Sequence, residues 1–189
     1  ISALIDYSFY EKRHLYLEGT GSLVLDHINR VAYVSLSRRA DREPLEKFCT
    51  DFGYEPMPFE STGDDGRPIY HTNVVMCIGS KVALVGSALI TDPGDREKIL
   101  ERLEAGGKLV IDLDRNQIAN FAGNAIELHN KDGQKLLVLS SRAGGVLTED
   151  QRERLSRYVR LIPLELPTIE LGGGSARCMV ATIHLPSPS

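Results

Sequence analysis

A thiol attacks carbon only as its thiolate, and it reaches that state near neutral pH beside a histidine, a cation or a helix end. The 189-residue chain holds three cysteines, Cys49, Cys77 and Cys178. Cys178 follows Gly172-Gly173-Gly174-Ser175-Ala176-Arg177. The glycines, Gly174 last among them, let backbone approach a ligand closely. Arg177, next to the sulfur, can favour the thiolate or bind a carboxylate. His71 can serve as the base that activates the thiol and as the acid for a leaving group. Glu18 can orient that histidine or hold a cationic substrate. Asn73 and Asn124 can donate and accept hydrogen bonds to a planar polar group. Asn73 lies two residues after His71, so on a strand both would point to one face.

Each residue also has a plainer reading. A cysteine in the apolar run Cys178-Met179-Val180-Ala181 is otherwise a small core residue. Three glycines also make an ordinary loop, and a single histidine or glutamate often has only a structural partner. Cys77 sits in an apolar strand and Cys49 on the buried face of a helix, so both read as packing. Together with His71 they show no metal-ligand spacing.

What joins the candidates is an internal repeat. A strand–strand–helix–strand pattern occurs three times. The first copy reads as strands at Ser22 to Asp26 and Val31 to Leu36, a helix from Arg42 to Phe52 capped by Asp41, and a strand at Glu55 to Glu60. Leu45, Phe48, Cys49 and Phe52 form the apolar stripe of that helix. The second copy has strands at Asn73 to Ile78 and Lys81 to Val85. Its helix runs from Pro93 to Ala105 behind Asp92 and ends at Gly106-Gly107, and a strand follows at Lys108 to Leu113. The third has strands at Ala125 to His129 and Lys135 to Ser140. Its helix starts at a Thr148/Gln151 capping box and ends near Tyr158, before a strand at Arg160 to Glu165. A further strand is expected from Cys178 to His184. Ser22 to Asn73 and Asn73 to Asn124 are each 51 positions, and Arg177 lies 53 beyond Asn124. Equivalent points of the units thus carry Glu18, His71, Asn124 and Cys178. In a radial array such points converge on the axis.

Composition narrows the class. A hydrophobic share of 42% supports a sizeable core, and a net charge of -4 lacks the basic footprint of a nucleic-acid partner. No apolar run approaches the roughly 20 residues of a membrane span, so no membrane partner is expected. Ile1 to Ile5, cut short by Asp6, is no signal peptide. Three scattered cysteines fit a reducing, cytoplasmic setting. The chain begins with Ile rather than Met, so residue 1 is not expected to be the start of the gene product.

Four segments carry a resemblance. Leu17-Glu18-Gly19-Thr20-Gly21-Ser22, Tyr70-His71-Thr72-Asn73-Val74, Phe121-Ala122-Gly123-Asn124 and Gly172-Gly173-Gly174-Ser175-Ala176-Arg177-Cys178-Met179 resemble the motifs of the amidinotransferase (pentein) superfamily. The nearest branch is the arginine-deiminase-related one that includes citrulline-utilisation hydrolases. The resemblance implies an α/β fold, a five-bladed αβ propeller of ββαβ units with the site at its centre. The chain would be one partial propeller domain over residues 1–189. Units at about 15–60, 70–113 and 122–166 and a final strand at 177–185 are three of five units plus one strand. The remaining units would precede Ile1. Open strand edges would then invite pairing with those units or with another copy.

The resemblance also implies covalent chemistry on a guanidino or ureido carbon of a small amino-acid substrate, with no metal or organic cofactor. Cys178 matches the nucleophile, His71 the acid and base, and Glu18 the acidic partner. Arg177 would help hold the substrate carboxylate. Arginine deiminases carry an aspartate two residues after the histidine, where this chain has Asn73. A neutral amide suits a neutral ureido group, which favours citrulline, yielding ornithine, ammonia and carbon dioxide. Other expectations are an arginine deiminase, a methylarginine-type dihydrolase, a non-catalytic binding propeller, or an inactive part of an active enzyme.

Overall fold

The computed structural model describes residues 4–182. Short polar turns fold each pair of apolar runs into an antiparallel hairpin, and a helix then carries the chain to a parallel third strand. β1 (Val24–Asp26) pairs antiparallel with β2 (Val31–Ser35), which pairs parallel with β3 (Glu55–Phe59). β4 (Met76–Ile78), β5 (Val82–Val85) and β6 (Leu109–Asp112) repeat the arrangement. So do β7 (Ile126–His129), β8 (Lys135–Ser140) and β9 (Arg160–Leu164). Every residue of β2 and β5 is buried, as central strands covered on both faces must be. Among the described residues the three sheets remain separate, and no strand bridges them into a closed barrel.

The main helices lie at Arg42–Phe52, Pro93–Ala105 and Glu149–Ser156. Asp92 accepts from the Asp95 amide at 2.9 Å, and Thr148 with Gln151 forms a reciprocal capping box. Asp41 sits at the start of its helix but caps nothing there. Its carboxylate accepts from the Tyr16 amide at 2.7 Å instead. In that helix Leu45 and Cys49 are buried, whereas Phe52 is exposed, so the stripe is narrower than its spacing predicts.

Two of the cores lie between units, and a smaller one, around Val34, Leu45 and Cys49, lies within the first. Val24, Tyr33, Met57 and Phe59 pack against Met76, Ile99 and Leu103, joining the first unit to the second. Leu84, Ile111 and Leu113 pack with Leu137, Leu139 and Leu155, joining the second to the third. Buried polar links cross the same boundaries. The Lys108 ammonium, wholly covered, donates to Asp26 at 3.1 Å and to the Gly79 and Ser80 carbonyls.

The strands expected to begin at Ser22 and Asn73, inside their motifs, begin after them, at Val24 and Met76. Gly19–Ser22 and Thr72–Val75 are single helical turns, and Ala176–Met179 is a 3-10 turn. The final strand is therefore not formed at 177–182, and its remaining positions lie outside the described residues. His71 and Asn73 thus do not share a strand face, because His71 leads into a turn that contains Asn73.

These turns are coupled through equivalent carbonyls. The Ser22 carbonyl accepts from Thr72 Oγ1 at 2.5 Å, and the Asn73 carbonyl from Asn124 Nδ2 at 3.0 Å. The Asn124 carbonyl accepts from the Arg177 amide at 3.3 Å. Each unit thereby holds the next at the register positions read from the sequence.

Candidate active site

Tight turns ahead of short strands present side chains at the inner ends of the units, and two groups of candidates meet there. The first centres on His71. Its Nε2 lies 2.7 Å from Glu18 Oε2, and Gly21 runs beneath the ring. A Cβ at Gly21 would sit 2.9 Å from two ring atoms, so only glycine leaves the imidazole its place. The same Glu18 oxygen lies 3.4 Å from Arg39 Nη1. The Arg39 guanidinium is 4.9 Å from the Tyr70 ring centre, and the Tyr70 and His71 rings are 4.8 Å apart.

The second group centres on Cys178, the exposed thiol. Asn124 Nδ2 lies 3.3 Å from its sulfur and Asn73 Nδ2 3.7 Å away. Both asparagines are buried, and Asn73 Oδ1 has no hydrogen-bond partner. Gly174 lies alongside, since a Cβ there would stand 3.6 Å from the sulfur. The other two thiols are buried. Burial pushes Cys49 up to about 11 and Cys77 up to about 12, so neither is a ready nucleophile.

Glu18, His71, Asn73, Asn124, Gly174 and Cys178 therefore fall into these two groups. The backbone amide of Arg177 docks the turn on the Asn124 carbonyl, and the residue lines a cavity of about 260 Å³ with Ile126 and Glu127. The cation beside the imidazole and its carboxylate is Arg39, which repeat arithmetic does not find. Its only sequence signal is its place in Ser37-Arg38-Arg39, just past a buried strand.

A cavity of about 840 Å³ adjoins the cluster, sharing Tyr70 and Asn124 with it. Its lining combines the polar or small Tyr70, Asn124 and Gly173 with the apolar Val74, Ile118 and Phe121 and the charged Asp65 and Arg67. Asp64, also in the lining, is bound to Arg115 at 2.6 Å. Such a space suits a molecule with a planar polar head, a short apolar stem and a charged tail. The thiol can supply a nucleophile, the amides can grip a planar group, and the imidazole–carboxylate pair can move protons.

Residues 1–185 match the family model described as N,N dimethylarginine dimethylhydrolase, eukaryotic. No curated protein matches the chain. Among solved structures, apo ArgZ, an arginine dihydrolase from the ornithine-ammonia cycle in cyanobacteria, is similar with a TM-score of 0.69 at 15% identity. The likeness covers 91% of this chain and 26% of ArgZ. A variant of the N-terminal domain of ArgZ bound to substrate gives 0.67 at 15% identity, covering 90% of this chain and 61% of that domain. AgrE in a ternary complex with ornithine and NAD+ gives 0.71 at 15% identity, covering 93% of this chain and 24% of AgrE. The chain thus spans about a quarter of these full-length proteins. Their likeness shows the fold, the pentein arrangement of ββαβ units.

Proposed function

We propose, from the premise that this chain belongs to the N,N dimethylarginine dimethylhydrolase family of the pentein superfamily, that it forms the hydrolytic site of an enzyme cleaving citrulline. The coarser activity, hydrolysis of a C–N bond on a guanidino or ureido carbon, is the one that this family and the amino-acid-binding neighbours support. The observation that carries the finer reading is the pair of neutral amides at the thiol, Asn73 and Asn124. A guanidinium cation is best met by a carboxylate, and a neutral ureido group by amides. The unpartnered Asn73 Oδ1 is an acceptor ready for a ureido N–H.

In this mechanism the Cys178 thiolate attacks the ureido carbon. The C–N bond to the ornithine side chain breaks as His71 protonates the departing nitrogen, leaving a carbamoyl thioester. His71 then takes a proton from water, whose oxygen attacks the thioester carbon and frees the thiolate. The carbamate released falls to ammonia and carbon dioxide. Glu18 holds the imidazole for both transfers.

A second reading, hydrolysis of a methylated arginine, is favoured by the family match itself. Product analysis separates the two. Citrulline, arginine and N,N-dimethylarginine are each incubated with the protein, and ornithine and citrulline are quantified, with Cys178→Ala as control. Ornithine from citrulline is expected. Citrulline accumulating from dimethylarginine would transfer the assignment to the second reading. The rate of Cys178 alkylation by iodoacetamide against pH, with His71→Ala as control, tests the nucleophile independently of substrate. Labelling no faster than a free thiol would sink the enzymatic reading for this chain.

A further inference from the structure

We infer that Glu170 is a positioning residue that, through Ser175, fixes the turn presenting the Cys178 sulfur. The inference rests on the reading of Cys178 as nucleophile, and on contacts outside the two groups described above. The Glu170 side chain is 3% exposed, and Ser175 is wholly buried. Ser175 Oγ donates to Glu170 Oε1 at 3.2 Å, and Arg142 Nε lies 3.0 Å from Glu170 Oε2. A carboxylate so deeply covered is costly unless its oxygens are met, and here each oxygen has a partner. One partner belongs to the turn of the nucleophile, the other to the helix Ser141–Val146.

The sequence of the turn explains why it needs such a hold. Gly172, Gly173 and Gly174 offer no side chain, and Gly173 has a φ of +84°. Glycine restricts the backbone least, so a run of three is the easiest part of a chain to move. Glu170 brackets that run. Its carbonyl accepts from the Gly173 amide at 3.0 Å, and its carboxylate takes the hydroxyl just past Gly174. The Ser175 carbonyl in turn accepts from the Cys178 amide at 3.1 Å. Arg142, Glu170, Ser175 and Cys178 thus form one line of contacts, from the helix that follows β8 to the residue that bears the sulfur.

Arg142 is half exposed, so its charge can turn to water if the carboxylate is lost, whereas Ser175 has no such alternative. The downstream side of the turn has its own anchors. They are the Arg177 amide on the Asn124 carbonyl at 3.3 Å and the buried Ala176 among Ile126 and Val138. Without the upstream hold the turn can still dock there and yet tilt, which moves the sulfur from its place 3.3 Å from Asn124 Nδ2. A shift of about 1 Å at a reacting atom costs on the order of 10²-fold in rate. A pair that served the fold alone would alter stability and leave the sulfur's reactivity as it is.

The test compares Ser175→Ala, Glu170→Ala and Glu170→Gln, with folding followed by thermal melt. Ser175→Ala removes one oxygen and leaves the volume of the site almost intact. Glutamine keeps the link, because its amide can accept from the Ser175 hydroxyl or donate to it. Hydrogen exchange at the Cys178 amide, read by NMR, is expected to quicken about tenfold in both alanine variants, the effect of losing one hydrogen bond to a charged group. Iodoacetamide labelling of Cys178 at pH 7 is expected to slow by about threefold or more as the sulfur leaves the Asn124 amide. With citrulline, kcat is expected to fall about tenfold with KM held within about twofold. Glu170→Gln is expected to recover each to within about threefold of wild type. Unchanged exchange in a folded Ser175→Ala variant overturns the inference. So does a lower melting temperature with labelling unchanged or faster, which would make the pair a support of the fold only. The wild-type labelling rate reads the proposed function, and the ratio of variant to wild type reads the role of Glu170, so the two fail separately.

Discussion

Gly21→Ala separates stability from chemistry in this protein. The new Cβ would fall 2.9 Å from His71 Cε1 and Nδ1 and 3.0 Å from Cγ. Comfortable contact for such atoms is about 3.5–4.0 Å, so the ring must retreat by roughly 0.6–1 Å. The backbone need not move, because the imidazole side chain is 19% exposed and can swing outward. That swing stretches the 2.7 Å contact with Glu18 toward about 3.5 Å, the edge of useful hydrogen-bond geometry. A misplacement of about 1 Å costs on the order of 10²-fold in rate. Alanine is meanwhile a better helix former than glycine by about 1 kcal/mol, and Gly21 lies in a helical turn without positive φ. The expected outcome is a melting temperature equal to or slightly above wild type, with kcat/KM for the proposed substrate down about a hundredfold. Steady-state ornithine release and a thermal melt on the same preparation check it. A rate within threefold of wild type refutes the reasoning, as does a loss of rate that merely follows a loss of stability.

Other outcomes follow from the same contacts. Asn73→Asp sets a carboxylate about where an amide nitrogen now lies 3.7 Å from the sulfur, which opposes the thiolate. Iodoacetamide labelling of Cys178 at pH 7 should slow by about tenfold, and the ratio of arginine to citrulline turnover should rise. Lys108→Met strands the Asp26 carboxylate, 3% exposed, without its cation. Urea unfolding should show a loss of about 3–5 kcal/mol, with most of it regained on adding Asp26→Asn. Burial opposes ionisation of Asp26, but hydrogen bonds from Asn29 and the Lys108 ammonium outweigh it and hold its pKa below the ordinary 3.8. A depressed carboxylate stabilises the fold above its unfolded value and loses that contribution as pH falls through the folded one. Stability from this pair should therefore begin to fall below about pH 4 and keep falling as pH drops through the lower, folded pKa, and Asp26→Asn should flatten the acid limb of a stability–pH curve. Gly123→Ala would bring a Cβ within 2.3 Å of the Val74 carbonyl, a backbone atom that cannot turn aside. A loss of about 1–3 kcal/mol in urea is expected.

Long periodic elements were legible because burial and backbone chemistry agree there. The helices Arg42–Phe52 and Pro93–Ala105 have the bounds their apolar spacing and flanking glycines predict. The equal spacing of Ser22, Asn73 and Asn124 correctly pointed to equivalent joints. What escaped was short. A four-residue turn such as Thr72–Val75 has no period to read, and its polar residues look like the approach to a strand. The 3-10 turn at Ala176–Met179 follows glycines that are compatible with either form. The helix Arg115–Ala119 carried a readable signal in Asp114 and Gln117, which form a capping box. The role read for Arg177 came from its place beside Cys178 and from the family resemblance, and neither signal carried its place in the lining of a cavity with Ile126 and Glu127, which tertiary packing sets. Arg39 reaches Glu18 only through a loop closed by Ser37 and Ala40, a contact set by tertiary packing rather than local pattern.

The joints between units have a consequence for how such a protein can change. At Ser22, Asn73 and Asn124 the accepting group is a main-chain carbonyl, which every amino acid possesses. The Cys178 turn is likewise docked by a main-chain amide, that of Arg177. A lineage can therefore exchange the side chain at position 73, and with it the charge beside the Cys178 sulfur, without undoing the joint. Only Thr72 and Asn124 give side-chain donors to the chain of contacts, so they should be the positions least free to drift. Under the proposed function, selectivity and assembly would rest on different atoms of Asn73, its side chain and its main-chain carbonyl.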